Sequence, residues 1–162
     1  MPSKGKAKGN NYEREIARHL GQVFNLNFER VPNSGAFTGG KNSFRLDRLT
    51  EAQQLLTRGD IIVPEELSNI AIECKNYKDF AWASLFSEVK QLDGWIEQAQ
   101  CNTDYWFLVF KINRCGSKVV FDIQHFDLFQ KPGNYMIYKG TIITQLEDFF
   151  ELNKDLLLQL NN

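Results

Sequence analysis

Apolar residues recur every three or four positions in three segments of the chain, the spacing at which side chains share one face of an α-helix. The first segment follows Asn10 or Asn11, either of which can cap a helix that runs to about Phe24. The second covers residues 81–100, and the third opens with a Thr144–Glu147 capping box and runs to about residue 160. The apolar positions of the first two are Tyr12, Ile16, Leu20, Val23 and Phe24, then Trp82, Leu85, Phe86, Val89, Leu92 and Ile96.

Runs of β-branched and aromatic residues predict strands between these helices. Residues 105–112 form a nearly continuous apolar run, which is typical of a central strand covered on both faces. Residues 119–123 can pair with that strand across a turn, and residues 135–138 can add an edge strand. The remaining predicted strands are residues 28–31, 61–63 and 70–75. This order of elements predicts an α/β fold in which helices flank one mixed β-sheet.

A single domain, residues 10–162, accounts for this pattern, and a flexible basic tail of residues 1–9 precedes it. Residues 33–44 are rich in Gly, Ser and Asn and predict a long loop, and residues 47–56 predict a short helical stretch. The first 48 residues hold nine basic and four acidic residues, a net charge of +5, so the rest of the chain carries −6 of the total of −1. A basic front segment favours a polyanionic partner, although a tail that only aids solubility would look the same.

Cysteine usage and hydropathy exclude several classes of protein. The three cysteines, Cys74, Cys101 and Cys115, are an odd number without a C-x-x-C spacing, which supports neither a disulfide framework nor a cysteine zinc site. The N-terminal lysines are not followed by the apolar region of a signal peptide, and no apolar run approaches the roughly 18 residues that span a bilayer. We expect a protein of a reducing cytoplasm, with no membrane partner and no small-molecule cofactor.

The candidate chemistry lies in and just before the predicted strand 70–75. Side chains alternate between the faces of a strand, so Glu73 and Lys75 share one face while Cys74 points to the other. Asp60, at the start of the neighbouring predicted strand, can bring a second carboxylate to the same place. Two hard oxygen ligands suit Mg²⁺, and a nearby lysine can steady an attacking hydroxide or developing charge. The pattern is that of a metal-dependent phosphodiester hydrolysis site.

An acid followed at a distance by Glu-x-Lys is a weak motif alone, and the chain contains a second copy, Glu88-Val89-Lys90. That copy lies in a helical pattern, where positions two apart diverge by about 200° and cannot converge on one ion. Glu73 and Lys75 differ because the isoleucines around them mark a half-buried strand, in which charged side chains are uncommon. The alternative interpretation is that Glu73 and Lys75 form the ordinary polar face of an edge strand.

Further motifs in the same order make the chain similar to the archaeal and phage Holliday-junction resolvases of the PD-(D/E)XK nuclease superfamily. Lys8-Gly9 followed by Glu13-Arg14-Glu15 resembles the opening of that family's first helix, and Asn33-Ser34-Gly35 resembles its Ser-Gly loop. Asp60 and Glu73-Cys74-Lys75 match its metal-binding motif, and the run 106–111 resembles an apolar strand that ends in lysine. The resemblance covers roughly residues 8–125.

This resemblance implies a restriction-endonuclease-like fold and an endodeoxyribonuclease that resolves four-way DNA junctions by paired phosphodiester hydrolysis. It implies Mg²⁺ or Mn²⁺ as cofactor and the cytoplasm of a prokaryotic or phage-infected cell as location. It implies Glu13 as an additional metal-site acid and the Cys74 backbone carbonyl as a further metal ligand, and it places Arg14 and Ser34 near the scissile phosphate. For Glu13 the alternative is an exposed acid favoured by the dipole of the helix. The predicted catalytic residues are Glu13, Asp60, Glu73 and Lys75.

The chain departs from the family in three places. Gly59 precedes Asp60 where the family has proline, residues 37–58 form an insertion, and residues 127–162 form a C-terminal extension. The insertion is a candidate DNA-contacting arm, and the basic tail is expected to contact DNA as well. The predicted DNA-binding residues are Lys4, Lys6, Lys8, Arg14, Ser34, Lys41, Arg45 and Arg48.

A four-way junction has paired strands to cut, so a homodimer with two-fold symmetry would place two sites on it. The C-terminal helix is a candidate interface because Leu156, Leu157 and Leu158 are consecutive and spread over about 200° of its circumference. The alternative is that both faces of this helix are buried internally, between the sheet and the insertion.

Two other functions fit the same residues. A restriction or repair nuclease of the superfamily would share the chemistry but read DNA sequence, and a non-catalytic DNA-binding protein could keep the fold without cleaving. Trp82, Trp95 and Trp106 occupy core-like positions, so we expect them to pack inside the protein and not to stack on bases.

Overall fold

A computed structural model describes residues 4–32, 50, 58–100 and 103–161. The helices within these ranges are α1 (Lys4–Phe24), α2 (Lys90–Gln100), α3 (Phe149–Leu152) and α4 (Lys154–Gln159). The strands are β1 (Glu29–Arg30), β2 (Ile61–Ile62), β3 (Ile70–Tyr77), β4 (Tyr105–Ile112), β5 (Gly116–Asp122), β6 (Tyr135–Tyr138) and β7 (Thr141–Gln145). Short 3-10 turns occupy Glu65–Leu67, Trp82–Phe86 and Ile123–His125.

Over the described ranges, a five-stranded sheet in the order β3-β4-β5-β7-β6 forms the centre of the fold. β3 and β4 are parallel, while the other neighbours are antiparallel, so the sheet is mixed as predicted. β1 and β2 form a separate antiparallel pair in which Arg30 lies opposite Ile61. The result is the α/β architecture, with helices flanking one mixed sheet, that the sequence predicts.

Each face of the sheet carries its own hydrophobic core. On one face, the apolar stripe of α1 packs with inward residues of the sheet and with Phe149, Phe150 and Leu157 from the C-terminal helices. On the other face, α2 packs through Leu92, Trp95 and Ile96. Trp95 and Trp106 are buried in this second core, which confirms their predicted packing role. A continuous apolar strand such as β4 is therefore covered on both sides.

Three predicted element boundaries are wrong. α1 begins at Lys4, so residues 4–9 belong to the first helix and not to a tail. Residues 81–100 contain a 3-10 turn followed by α2, and Glu88 precedes that helix. Thr144 lies in β7 and does not cap a helix, and two short helices replace the long one predicted for residues 144–160. The predicted loop 33–44 and all of the predicted helical stretch 47–56 except residue 50 lie outside the described residues.

The C-terminal helices are mostly internal. Leu157 is fully buried, and Leu156, Leu158 and Leu160 are half-buried against the same core. The expectation that this segment exposes an apolar face for a dimer is therefore wrong for Leu157, because tertiary packing already covers it. None of the described helices has the length and apolarity needed to cross a bilayer.

Candidate active site

Asp60 stands immediately before β2 and is held against β3 by backbone contacts. Its N–H donates to the carbonyl of Ile72 at 2.8 Å, and its Oδ2 accepts from the N–H of Cys74 at 2.8 Å. Gly59 permits this close approach, since its φ is +64° and a Cβ there would overlap the carbonyl group of Ile72. A residue with a side chain would push the segment away, so glycine is required before Asp60 at this spacing.

Glu73 and Lys75 project from β3 on the same face, as the alternation predicts. Lys75 Nζ lies 2.6 Å from Glu73 Oε1, and Glu73 is only 3% exposed. Cys74 points the other way and packs into the first core with Ile70 and Ile72. The strand therefore holds an acid and a base in contact, one of them deeply buried, which is a costly arrangement for a residue pair with no task.

Burial and neighbouring charges shift the pKa values of this group. Burial, followed by the charge of Asp60, raises the pKa of Glu73 to about 8, against the opposing effect of Lys75. A hydrogen bond to the carboxyl group of Asp60 raises the pKa of Glu73 further. Burial lowers the pKa of Lys75, but the charges of Glu73 and Asp60 outweigh burial, and the net shift is upward. Two acids compete here for one proton or one cation.

Cys74 is buried between these groups and is a free cysteine. Burial first, and then the charges of Asp60, Glu73 and Glu13, hold the pKa of its thiol well above the usual range. The thiol is therefore neutral and unreactive, and the contribution of Cys74 to the site is its backbone.

Glu13 lies on the buried side of α1 and is held by Arg30 of β1. Arg30 Nε donates to Glu13 Oε2 at 2.9 Å, and its Nη2 donates to Asn10 Oδ1 at 3.2 Å. Glu13 is buried, so it is not the exposed helix acid that was the alternative. Its charge reaches the thiol of Cys74, which lies on the first-core face of β3, where α1 packs. A metal-ligating role for Glu13 stays a prediction.

The donor set fits a hard divalent cation held by few protein ligands. No group of three or more His, Cys, Asp or Glu side chains among the described residues is arranged to hold a metal ion. Asp60 and Glu73 nevertheless give two buried carboxyls on neighbouring segments, whose mutual repulsion a cation would relieve. Mg²⁺ is often bound through one or two carboxylates and keeps its remaining waters.

The predicted DNA-binding residues are only partly described. Lys8 Nζ donates to Asn113 Oδ1 at 3.0 Å, and the Lys8 carbonyl accepts from Asn76 at 3.5 Å, so Lys8 lies at the end of β3 that carries the site. Arg14 is exposed on α1 and donates to Asn11 at 3.2 Å. Lys4 and Lys6 belong to the first turns of α1. The other predicted DNA contacts, Ser34, Lys41, Arg45 and Arg48, lie outside the described residues.

Sequence reasoning missed Arg30, which positions Glu13. A usable signal existed, because Arg30 is a charged residue in a predicted strand between the apolar residues Phe28 and Val31. A charged residue among the apolar residues of a strand was also the reason for selecting Glu73, and Phe28 and Val31 are both buried in the structure. Its partner could not be foreseen, since the contact joins residues 17 positions apart.

Comparison with known proteins assigns the chain to a class. Residues 4–159 match the family described as "Phage putative PDDEXK endonuclease", so the chain belongs to that endonuclease family. No curated protein matches it. A solved structure to which it is similar is Hjc of Archaeoglobus fulgidus, a Holliday junction resolvase from an archaeal hyperthermophile. The two are 13% identical, with 88% of this chain and 87% of that one covered and a TM-score of 0.37, and agreement this loose does not establish a shared substrate.

Proposed function

We propose that this protein is a Mg²⁺- or Mn²⁺-dependent endodeoxyribonuclease that resolves four-way DNA junctions. The observation that carries the proposal is the grouping of Asp60, Glu73 and Lys75: the Asp60 carboxylate accepts at 2.8 Å from the N–H of Cys74, between Glu73 and Lys75, and the Lys75 ammonium lies 2.6 Å from Glu73. Membership of a PDDEXK endonuclease family supports hydrolysis of phosphodiesters as the use of that grouping.

The role of each residue of the site follows from its position. A divalent cation, when bound, supplies Lewis-acid polarisation of the scissile phosphate. Asp60 and Glu73 would hold it, with the Cys74 carbonyl as a further oxygen donor, because β3 and the Gly59 turn bring these groups together. Lys75 stands beside Glu73 on the same face and donates to it at 2.6 Å. Its ammonium is placed to stabilise negative charge on the attacking or leaving oxygen. Arg30 holds the carboxylate of Glu13 on α1 through a contact of 2.9 Å.

The choice of branched DNA rests on the order of motifs along the chain and on charge. The first-helix Glu13-Arg14-Glu15, the Ser-Gly loop, Asp60 and Glu73-Cys74-Lys75 follow one another as in junction resolvases. Lys8 and Lys111 lie at the end of β3 and β4 nearest the site, where they can meet phosphates. A homodimer would present two sites to the paired strands of a junction, in the cytoplasm of a prokaryotic or phage-infected cell.

Cleavage assays on two DNA substrates test this proposal. The protein is incubated with a labelled four-way junction or with a plain duplex of the same sequence, in Mg²⁺ or in EDTA. The expected result is paired cuts in the junction only, and only with the metal. Equal cutting of both substrates would favour another nuclease of the superfamily. Binding without any cutting would favour a non-catalytic DNA-binding protein.

A further inference from the structure

Tyr77 is an exposed aromatic residue in line with the candidate catalytic pair. It is the last residue of β3 and follows Glu73 and Lys75 at intervals of two, so all three side chains leave the same face of the strand. Contact of the Tyr77 ring with Trp95, a residue of the second core, agrees with that face. Tyr77 is 42% exposed, whereas Glu73 is buried and Lys75 is half-buried. Exposure to solvent therefore increases along this face, from the buried Glu73 through the half-buried Lys75 to the exposed ring of Tyr77.

The ring of Tyr77 is held by an aromatic cluster consisting of Phe80, Trp82, Trp95 and Phe110. The centroids of Tyr77 and Trp95 are 4.7 Å apart, and Trp95 contacts both Phe80 at 6.1 Å and Phe110 at 5.7 Å. The backbone of Tyr77 is also fixed, because its carbonyl accepts from the N–H of Asn113 at 3.3 Å. A ring that is already ordered loses little conformational entropy when it contacts a ligand.

The surroundings of Tyr77 suit a polyanion. Lys75 precedes it on the same face, Lys78 and Asp79 follow it and are exposed, and Lys8 reaches Asn113 beside it. Basic residues next to an exposed aromatic ring are the arrangement that binds single-stranded nucleic acid through backbone charge and base stacking.

The spacing between Tyr77 and Lys75 corresponds to about two nucleotide steps. Two residues along a strand span about 7 Å, and successive phosphates of one DNA strand advance by about 3.4 Å along the helix axis. A phosphate beside Lys75 would therefore have a base about two nucleotides away within reach of the Tyr77 ring.

We propose that Tyr77 is a base-stacking platform that selects DNA with an unpaired or unstacked base within about two nucleotides of the scissile phosphate. The proposal rests on the proposed nuclease function, and it names the structural feature of the DNA that this site reads. Bases inside an intact duplex are covered on both faces by their neighbours and cannot stack on a protein ring. A base at a branch point or nick can leave the stack at lower cost, so Tyr77 would add affinity for branched DNA alone.

Binding measurements with matched variants test this inference. Tyr77→Leu removes the ring and Tyr77→Phe keeps it. Tyr105→Leu is the control, because Tyr105 is half-buried, its ring stacks on His125 at 4.8 Å, and it pairs with Ile70 at the opposite end of the strand pair. That places it about 23 Å from Tyr77 along the strands. Each change is made in an Asp60→Asn background to prevent cutting. Affinity is measured for a four-way junction and for a duplex, and thermal unfolding is followed for every variant.

Tyr77→Leu is expected to weaken junction binding at least about fivefold and to leave duplex binding unchanged, while Tyr77→Phe and Tyr105→Leu bind as the parent does. A fluorescent adenine analogue at the branch point should be quenched by the parent and by Tyr77→Phe, but not by Tyr77→Leu. An unchanged junction affinity for Tyr77→Leu, or an equal loss for junction and duplex, would overturn the inference.

The same experiments separate this inference from the proposed function. If the wild-type protein cuts junctions in Mg²⁺ but Tyr77→Leu keeps full junction affinity, the nuclease function is supported and the stacking role of Tyr77 is contradicted. If the wild-type protein cuts no DNA but needs Tyr77 to bind junctions, the nuclease function is contradicted and the stacking role of Tyr77 is supported.

Discussion

The carboxylate of Asp60 accepts a hydrogen bond from the backbone N–H of Cys74 at 2.8 Å. Cys74 lies between Glu73 and Lys75, so the carboxylate of Asp60 is hydrogen-bonded to the main chain at the centre of the Glu-x-Lys motif. The second tie, from the Asp60 N–H to the Ile72 carbonyl, lies on the other side of Glu73. The backbone of β3 therefore holds both the main chain and the carboxylate of Asp60, and the same strand carries Glu73.

This geometry makes charge removal at the two acids a clean test. Asp60→Asn keeps an oxygen that can accept from Cys74, and Glu73→Gln keeps the volume of a buried side chain. We expect either change to abolish cleavage and to leave junction binding largely intact. The measurement is the single-turnover cleavage rate beside the dissociation constant. Retention of more than about a tenth of the wild-type rate in both variants, a barrier change under roughly 1.4 kcal/mol, would contradict the assignment.

Lys75→Ala is predicted to impair cleavage severely, because the ammonium beside Glu73 is removed from the face that carries the site. The chain supplies a matched control in its second Glu-x-Lys, where Lys90 is exposed and Glu88 precedes α2. Lys90→Ala and Glu88→Gln should cleave at the wild-type rate. Turnover is measured from pH 6 to pH 9. If Lys75→Ala matches the wild type throughout that range, Lys75 has no part in the reaction.

Gly59→Ala is predicted to damage both stability and cleavage. Its positive φ alone would cost an alanine roughly 1–2 kcal/mol, and the added Cβ would also overlap the carbonyl group of Ile72. Gly133→Ala is the control, since Gly133 has a φ of +65° with no atom within 4 Å of the added Cβ. Urea unfolding and cleavage rates should separate the two variants. Equal effects of both changes would show that the close approach to Ile72 has no special role.

How much of the site could be foreseen depended on the range of the contacts involved. The shared face of Glu73 and Lys75 follows from strand alternation, and it holds because β3 is a regular strand. The approach of Asp60 to Cys74 and the pairing of Arg30 with Glu13 join residues 14 and 17 positions apart. Local pattern carries no information about such pairs. The order of the predicted strands suggested that Asp60 can reach the site, and only the resemblance to known nucleases suggested Glu13.

Strand β7 was missed for a different physical reason. Thr144 and Glu147 have capping-box spacing, but Thr144 Oγ1 donates to the carbonyls of Pro132 and Asn134, at 3.1 and 3.2 Å, so its hydroxyl caps no helix. β7 pairs with β5 on one side and β6 on the other, and these two ladders outweigh the local helical preference. α3 begins only after Asp148, whose φ is +62°.

The lysines of the N-terminal region are predicted to contact the DNA backbone. Replacing Lys4, Lys6 and Lys8 with alanine should weaken junction affinity and flatten the dependence of log K on log salt, by up to about 0.9 for each phosphate that the protein no longer neutralises. Lys131 and Lys139, which flank β6 across the sheet from β3, serve as the control pair. Their replacement should change the slope little per charge removed. An unchanged slope in the N-terminal variant would show that its lysines only aid solubility.

The surface of the proposed homodimer must be sought away from the C-terminal helices. Leu157→Glu would test folding and not assembly, because Leu157 is fully buried in the first core. Exposed apolar side chains occur instead on β6, at Tyr135, Met136 and Ile137. Of the described strands, β6 pairs with β7 alone and so leaves one edge open. No charged residue lies between Pro132 and Tyr138, so two copies of this edge could pair antiparallel without opposing like charges.

We therefore predict that the wild-type protein sediments as a dimer at micromolar concentration and that Ile137→Lys shifts it toward monomer. Ile137 is 60% exposed, so the lysine should cost little in the folding of one subunit while placing a charge on the open edge. Leu157→Ala is the comparison: loss of a fully buried leucine should cost about 2–5 kcal/mol in stability and leave the association of folded subunits unchanged. If Ile137→Lys remains a dimer, the dimer interface does not lie on β6. A wild-type monomer that still makes paired cuts would contradict the dimer itself.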